Sequence, residues 1–235
     1  TPGPDLPMPV AIVGMHRSGT SMVAKLLGQA GLYLGPEDAL MPPASENPEG
    51  FFEHLDFVSL NDEVLNEAGA GWDCPPPGTT NWSDPAFDRH RERARALAVP
   101  LAAQGVWGWK DPRSSLTLPF WESALGPVRT VLVVRNPLEV VTSLHRRNGF
   151  SIALSLTLWQ IYAERVLAST SPERRIVTHF DAWFVNPAVE ARRLIDLLGL
   201  PGWNAEGDGP DPNMGLRHHR QTLTDLRTAG FPEVT

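Results

Sequence analysis

Short unbroken apolar runs alternate along this chain with longer stretches of helical periodicity. Val10 to Val13 is continuously apolar and stops at Gly14, as a buried strand does. Val106 to Lys110 reads as a second strand and Arg175 to Phe180 as a fourth. Between these two, Thr130 to Arg135 is the clearest, because Val131, Leu132, Val133 and Val134 follow one another as a central parallel strand requires. Helical patterns cover Ser21 to Ala30, stopped by Gly31, then Leu55 to Ala68, and Ile152 to Ala168. Asp84 and Pro85 supply a cap and first turn for a helix reaching to about Ala103. Asn136, Pro137 and Glu139 do the same after the best strand, and Asn186 with Pro187 opens a helix ended by Gly199. Residues 35–50 read as loop. So does Gly69 to Pro85, a long segment with Trp72, Trp82 and three successive prolines, a length that in compact domains marks functional or mobile loops. The alternation predicts an α/β fold in three layers, a parallel sheet flanked by helices. Residues 1–8 form a Pro-rich flexible lead, and 9–235 a single domain without internal repeats.

Composition narrows the functional classes. The 235 residues carry 42% hydrophobic and 20% charged side chains, an ordinary globular balance. A net charge of −7 argues against a general nucleic-acid partner and makes a polyanionic acceptor less natural. Cys74 is the only cysteine, which excludes disulfides and thiolate clusters and suits a reducing cytoplasm. No apolar run approaches the roughly 20 residues of a membrane span. The start, with four prolines and no basic region between Thr1 and Pro9, is unlike a signal peptide.

Candidate chemistry begins at Gly14-Met15-His16-Arg17-Ser18-Gly19-Thr20-Ser21, which joins the first strand to the first helix. The spacing is that of a phosphate-binding loop, but Thr20 stands where a nucleotide hydrolase has its lysine. Backbone N–H groups converging at a helix N-terminus favour an anion. Gly19 permits close backbone approach, Thr20 and Ser21 add hydroxyls, and Arg17 becomes the natural charge partner. His16 reads as structural or solvated. A hundred residues on, Arg135 closes the best strand and Ser143 lies on the next helix, at the sheet edge where open α/β folds bind ligands.

The two segments resemble those of the sulfotransferases that use 3′-phosphoadenosine-5′-phosphosulfate (PAPS). The first, with a basic residue before Ser-Gly-Thr, is similar to that family's 5′-phosphosulfate loop. The second matches its 3′-phosphate segment in the arginine, the proline two residues on, and the serine eight residues on. The resemblance implies a P-loop nucleotide-hydrolase-like sulfotransferase fold of bacterial type. It assigns Arg17, Ser18, Gly19, Thr20 and Ser21 to the phosphosulfate, and Arg135 and Ser143 to the 3′-phosphate. A third block, Val177 to Trp183, is similar too, but Phe180-Asp181-Ala182 stands where many members have Tyr-Glu-Asp, so no role is carried onto it.

An acceptor hydroxyl needs a base. The stretch Asn47-Pro48-Glu49-Gly50-Phe51-Phe52-Glu53 resembles one in bacterial and glycan sulfotransferases, which implies Glu53 as base, with His54 and Glu46 as substitutes. The structural alternative places Glu53 in the first turn of the next helix. Lys110, at a strand end in a chain with one other lysine, suits the charge developing on the departing phosphate; a solvated pair with Asp111 is the alternative. Arg113 points to acceptor or nucleotide. Arg217 and Arg220, in a basic cluster with His218 and His219, are candidate nucleotide clamps, and that spacing makes no metal site. Gly71 to Trp82 is a candidate acceptor wall or lid, or plain surface packing. The expected activity is metal-free sulfuryl transfer from PAPS, leaving 3′,5′-ADP, to a hydroxyl on a small molecule, glycan or lipid. A P-loop kinase and a catalytically inactive nucleotide-binding module are the rivals.

Overall fold

A computed structural model describes residues 7–44 and 47–202. Four strands, β1 (Val10–Val13), β2 (Gly108–Lys110), β3 (Arg129–Val134) and β4 (Arg175–His179), form one parallel sheet in the order β2-β1-β3-β4. Alternation along β1 explains the layering. Val10 and Ile12 face one core with Val131 and Val133, while Ala11 and Val13 face the other with Leu132. Helices α1 (Thr20–Gln29), α7 (Ala182–Val185) and α8 (Pro187–Leu198) cover the first face. Helices α2 (Leu55–Glu67), α3 (Asp88–Ala102) and α4 (Ser114–Leu125) cover the second. The pair α5 (Pro137–Asn148) and α6 (Ile152–Ser169) extends that side as a third cluster, with Met15, Leu116 and Tyr162 inside it.

The strand order positions the site. From β1 the chain crosses to β2 on one side, whereas from β3 it continues to β4 on the other. Connections that diverge like this leave a crevice beyond the carboxyl ends of the strands.

Helix α4 is absent from the periodicity reading. Its sequence, Ser-Ser-Leu-Thr-Leu-Pro-Phe-Trp, carries Pro119 in the interior and no clean amphipathic stripe. It is helical because it is buried nearly all round, with Ser114, Ser115, Thr117, Leu118, Phe120 and Trp121 inside. Its hydroxyls are satisfied by Asn61 of α2. The Asn61 amide donates to Asp111 Oδ2 at 2.8 Å and to Ser114 Oγ at 3.0 Å. Its carbonyl accepts from Thr117 Oγ1 at 2.6 Å and from Trp121 Nε1 at 2.9 Å. Asn61 is fully buried, so these bonds replace all contact with water. The Asn61→Ala protein should lose roughly 3 kcal/mol or more, read as a lowered urea midpoint at unchanged m-value.

Candidate active site

The turn after β1 is built on two tight approaches. A Cβ at Gly14 would lie 2.4 Å from the Val133 carbonyl oxygen, so β1 and β3 can sit this close only with glycine there. At Gly19 (φ 91°) a Cβ would lie 2.2 Å from the Phe180 ring. The glycine therefore admits a neighbouring aromatic ring, a constraint the motif alone does not carry. Arg17 takes a left-handed φ of 70°, uncommon for a residue with a side chain and costing on the order of 1 kcal/mol or more. No side chain caps α1, and its first intrahelical donor is Val23, so the N–H groups of Thr20, Ser21 and Met22 point out of the helix without a helical partner.

The turn meets the second segment directly. Arg17 Nε donates to Ser143 Oγ at 2.8 Å, and Arg135 Nη1 donates to the Arg17 carbonyl at 3.2 Å. Residues 126 positions apart thus share one hydrogen bond at the carboxyl ends of β1 and β3. Arg135 is held from two further sides. Glu139 Oε2, one turn along α5, accepts from its Nε at 2.7 Å, and the Phe180 ring lies 4.2 Å below its guanidinium carbon. Glu139, which serves the helix cap in the sequence reading, is buried against this arginine.

Not every turn residue faces the cleft. Ser18 donates its N–H to the Met15 carbonyl at 3.1 Å, and its buried Oγ has no hydrogen-bond partner among the described residues. It lines a small apolar cavity with Leu132, Val133, Val134 and Trp159, behind the turn. Thr20 is buried, and the Ser21 hydroxyl accepts from the Asn47 amide at 3.3 Å.

That contact begins the strap that delivers Glu53. Asn47 also donates to the Gly50 carbonyl at 2.6 Å, Glu49 pairs with Lys25 of α1 at 2.8 Å, and Met41 donates to the Glu53 carbonyl at 2.7 Å. Glu53 arrives buried beside the end of β2, where Lys110 Nζ lies 2.5 Å from its Oε1. It precedes the helix: His54 is the N-cap of α2, its Nδ1 accepting from Asp56 N at 3.3 Å. The first-turn alternative for Glu53 is thereby corrected, and so is the solvated Lys110–Asp111 pair. Both of those residues are buried, Lys110 against Glu53 and Asp111 against Asn61 and Arg113.

Arg113 joins the two acids. Its Nη1 is 3.2 Å from Asp111 Oδ1 and 4.0 Å from Glu53 Oε2, and its Nε is 2.7 Å from Asp62. Burial works against its charge, but Asp111, Asp62 and Glu53 outweigh it and hold the guanidinium protonated. For Asp111, burial dominates and pushes the carboxyl up to about 6, with Arg113 opposing and Glu53 adding to the rise.

The long loop at 69–85 is pinned to α6 and α3. Tyr162 Oη donates to the Trp72 carbonyl at 2.7 Å, Arg165 Nη2 to the Pro76 carbonyl at 2.9 Å, and Arg91 Nη1 to the Trp82 carbonyl at 2.8 Å. Trp72 stacks on Phe150 with centroids 5.6 Å apart and stands 4.7 Å from His16. The loop thus reaches the phosphate turn. Glu46, Arg217, His218, His219 and Arg220 lie outside the described residues.

A sulfotransferase family model matches residues 9–205. The chain belongs to the sulfotransferase family. No curated protein sequence matches it. Among solved structures, the chain is similar to the sulfotransferase domain of the Synechococcus PCC 7002 olefin synthase. Identity is 18%, with a TM-score of 0.55, covering 99% of this chain and 90% of that one. It is similar as well to sulfotransferase STF1 from Mycobacterium tuberculosis H37Rv, at 18% identity and a TM-score of 0.53, over 97% of this chain and 75% of that one. A sulfotransferase from Alicyclobacillus acidocaldarius gives 18% and 0.52, over 97% and 92%. The fold is therefore the P-loop-like fold of sulfotransferases, as the sequence predicts. Among the described residues no helix is long and apolar enough to cross a membrane.

Asp111 gives this sulfotransferase a pH signature. Its folded pKa is raised, so between about 4 and 6 the folded state binds a proton that the unfolded state does not, and stability falls as pH rises through that window. Urea melts of wild type and Asp111→Asn at pH 4.5 and 7.5 should differ accordingly. Wild type should gain on the order of 2–3 kcal/mol over the variant at the lower pH.

Proposed function

We propose that the chain transfers a sulfuryl group from PAPS to an acceptor hydroxyl. The observation that carries this reading is the Arg17–Ser143 hydrogen bond with Arg135 beside it, which puts the two anion-binding segments on one crevice. The residues fit a nucleotide phosphorylated at both ends. Uncapped N–H groups of Thr20 and Ser21, with Arg17, suit the 5′-phosphosulfate. Arg135, oriented by Glu139 and Phe180, and Ser143 suit the 3′-phosphate. Ser18 and Gly19 serve by shaping the turn, the one turned inward and the other admitting Phe180.

In-line transfer forms a bond from the acceptor oxygen to sulfur and breaks the bond from sulfur to the phosphate oxygen. Glu53 takes the hydroxyl proton. Its partner Lys110 keeps it ionised and, with Arg17, meets the charge growing on the departing phosphate. Positioning and fixed charge do the catalytic work, and cationic side chains occupy the place a metal holds in phosphoryl transfer. The Trp72-bearing loop forms one wall of the acceptor cleft.

In thermal-shift measurements, 3′,5′-ADP should raise Tm more than 5′-AMP or ATP with Mg²⁺, and Arg135→Ala should abolish that preference. A larger shift with ATP and Mg²⁺, accompanied by ATP turnover, would favour a kinase instead. With ³⁵S-labelled PAPS and a panel of 4-nitrophenol, octyl glucoside and cholesterol, Glu53→Gln should lower transfer by about 10²–10⁴ while leaving 3′,5′-ADP affinity unchanged.

A further inference from the structure

His16 has no part in the reading above, yet it sits in the middle of the residues that do. The side chain is 9% exposed, and its Nε2 is sealed from solvent with no hydrogen-bond partner among the described residues. Leaving such a group unpaired costs about 1–3 kcal/mol, which a purely structural histidine would avoid. The imidazole is also neutral. Burial, then the charges of Arg113, Arg147, Lys110 and Arg17, hold it well below the usual histidine range. Those four cations come from the turn, from the end of β2 and the segment after it, and from α5, so the ring lies where the elements of the cleft converge.

Its surroundings are aromatic. Trp72 lies 4.7 Å away and Tyr162 6.1 Å away in an edge-on contact. Phe150 continues the wall behind Trp72, and Met15 and Trp159 belong to the same cluster. Flat rings pack well against such a wall. A charged ligand group would find no counter-charge in a neutral imidazole, whereas a hydroxyl would find a hydrogen-bond partner.

We propose that His16 is the acceptor-contacting residue of this site, its Nε2–H donating to the hydroxyl oxygen of an acceptor that carries that hydroxyl on a flat ring packed beside Trp72. The proposal rests on the sulfuryl-transfer reading and adds a residue and a substrate class to it. The donated hydrogen bond fixes the oxygen's lone pairs and leaves the hydroxyl's own proton directed to Glu53. No proton passes through His16: the acceptor O–H proton goes to the Glu53 carboxylate, the new bond forms to sulfur, and the phosphate leaves with the electron pair.

The reverse reaction tests this with known compounds, since 4-nitrophenyl sulfate and 3′,5′-ADP should yield 4-nitrophenol and PAPS, followed as nitrophenolate. His16→Leu should lower kcat/KM by about tenfold or more, the worth of one hydrogen bond to the reacting oxygen. His16→Gln, whose amide N–H reaches the place of Nε2, should recover to within about threefold of wild type. Calorimetric Kd values for 3′,5′-ADP should stay within about twofold throughout. Should the leucine variant not fold, His16→Asn replaces it, because its shorter amide reaches only the place of Nδ1, and the same loss is expected. Wild-type kcat/KM in the leucine or asparagine variant overturns the assignment, as does a glutamine variant as impaired as leucine. Binding of 3′,5′-ADP by wild type without turnover of 4-nitrophenyl sulfate overturns the substrate class. No binding of 3′,5′-ADP at all brings down the parent reading, and this one with it.

Discussion

One arginine side chain, reaching from the turn after β1 to a serine on α5, makes a single site out of two distant pieces of chain. The Arg17–Ser143 bond exists because β1 and β3 are neighbours in a parallel sheet, so that their carboxyl ends open on the same side. That neighbourhood depends in turn on Gly14, where any side chain would strike the Val133 carbonyl. The left-handed backbone at Arg17 fits the same picture. Strain at a non-glycine residue persists where the surroundings over-determine it, and here the Arg17 carbonyl is gripped by Arg135 while its guanidinium is gripped by Ser143.

A second cluster stands beside the first with a different logic. Glu53, Lys110, Asp111, Arg113 and Asp62 alternate in sign within a largely buried volume. Buried ion pairs contribute little net stability because desolvation offsets the attraction, so the arrangement is better understood as holding groups in defined places. Asn61 anchors one end through Asp111, and the strap from Asn47 to Gly50 fixes the other by docking on Ser21. The strap and the phosphate turn are thus mechanically joined.

Much of the layout was legible in the sequence because it follows from local rules. β3 was visible as an uninterrupted Val-Leu-Val-Val run and α5 through its Asn-Pro cap, and both motifs fall at the strand ends expected of them. Helix α4 was not legible, since it is held by burial rather than by an amphipathic stripe. Asn61 did leave a trace: it occupies an inward position among Phe57, Leu60 and Val64 of α2, where a polar residue needs a reason. Phe180 left none, because its contact with Gly19 and Arg135 crosses from β4 to two other elements. The burial of the Lys110–Glu53 pair was hidden likewise, as nothing in either segment records the other.

The loop that carries Trp72 is fastened almost wholly by its own main-chain oxygens, which accept from Tyr162, Arg165 and Arg91. Any residue supplies the same carbonyl. Substitutions along this stretch can therefore alter the face turned to the cleft while the path of the chain stays put. In this fold the wall beside the transfer site can diversify without disturbing the machinery that grips the nucleotide.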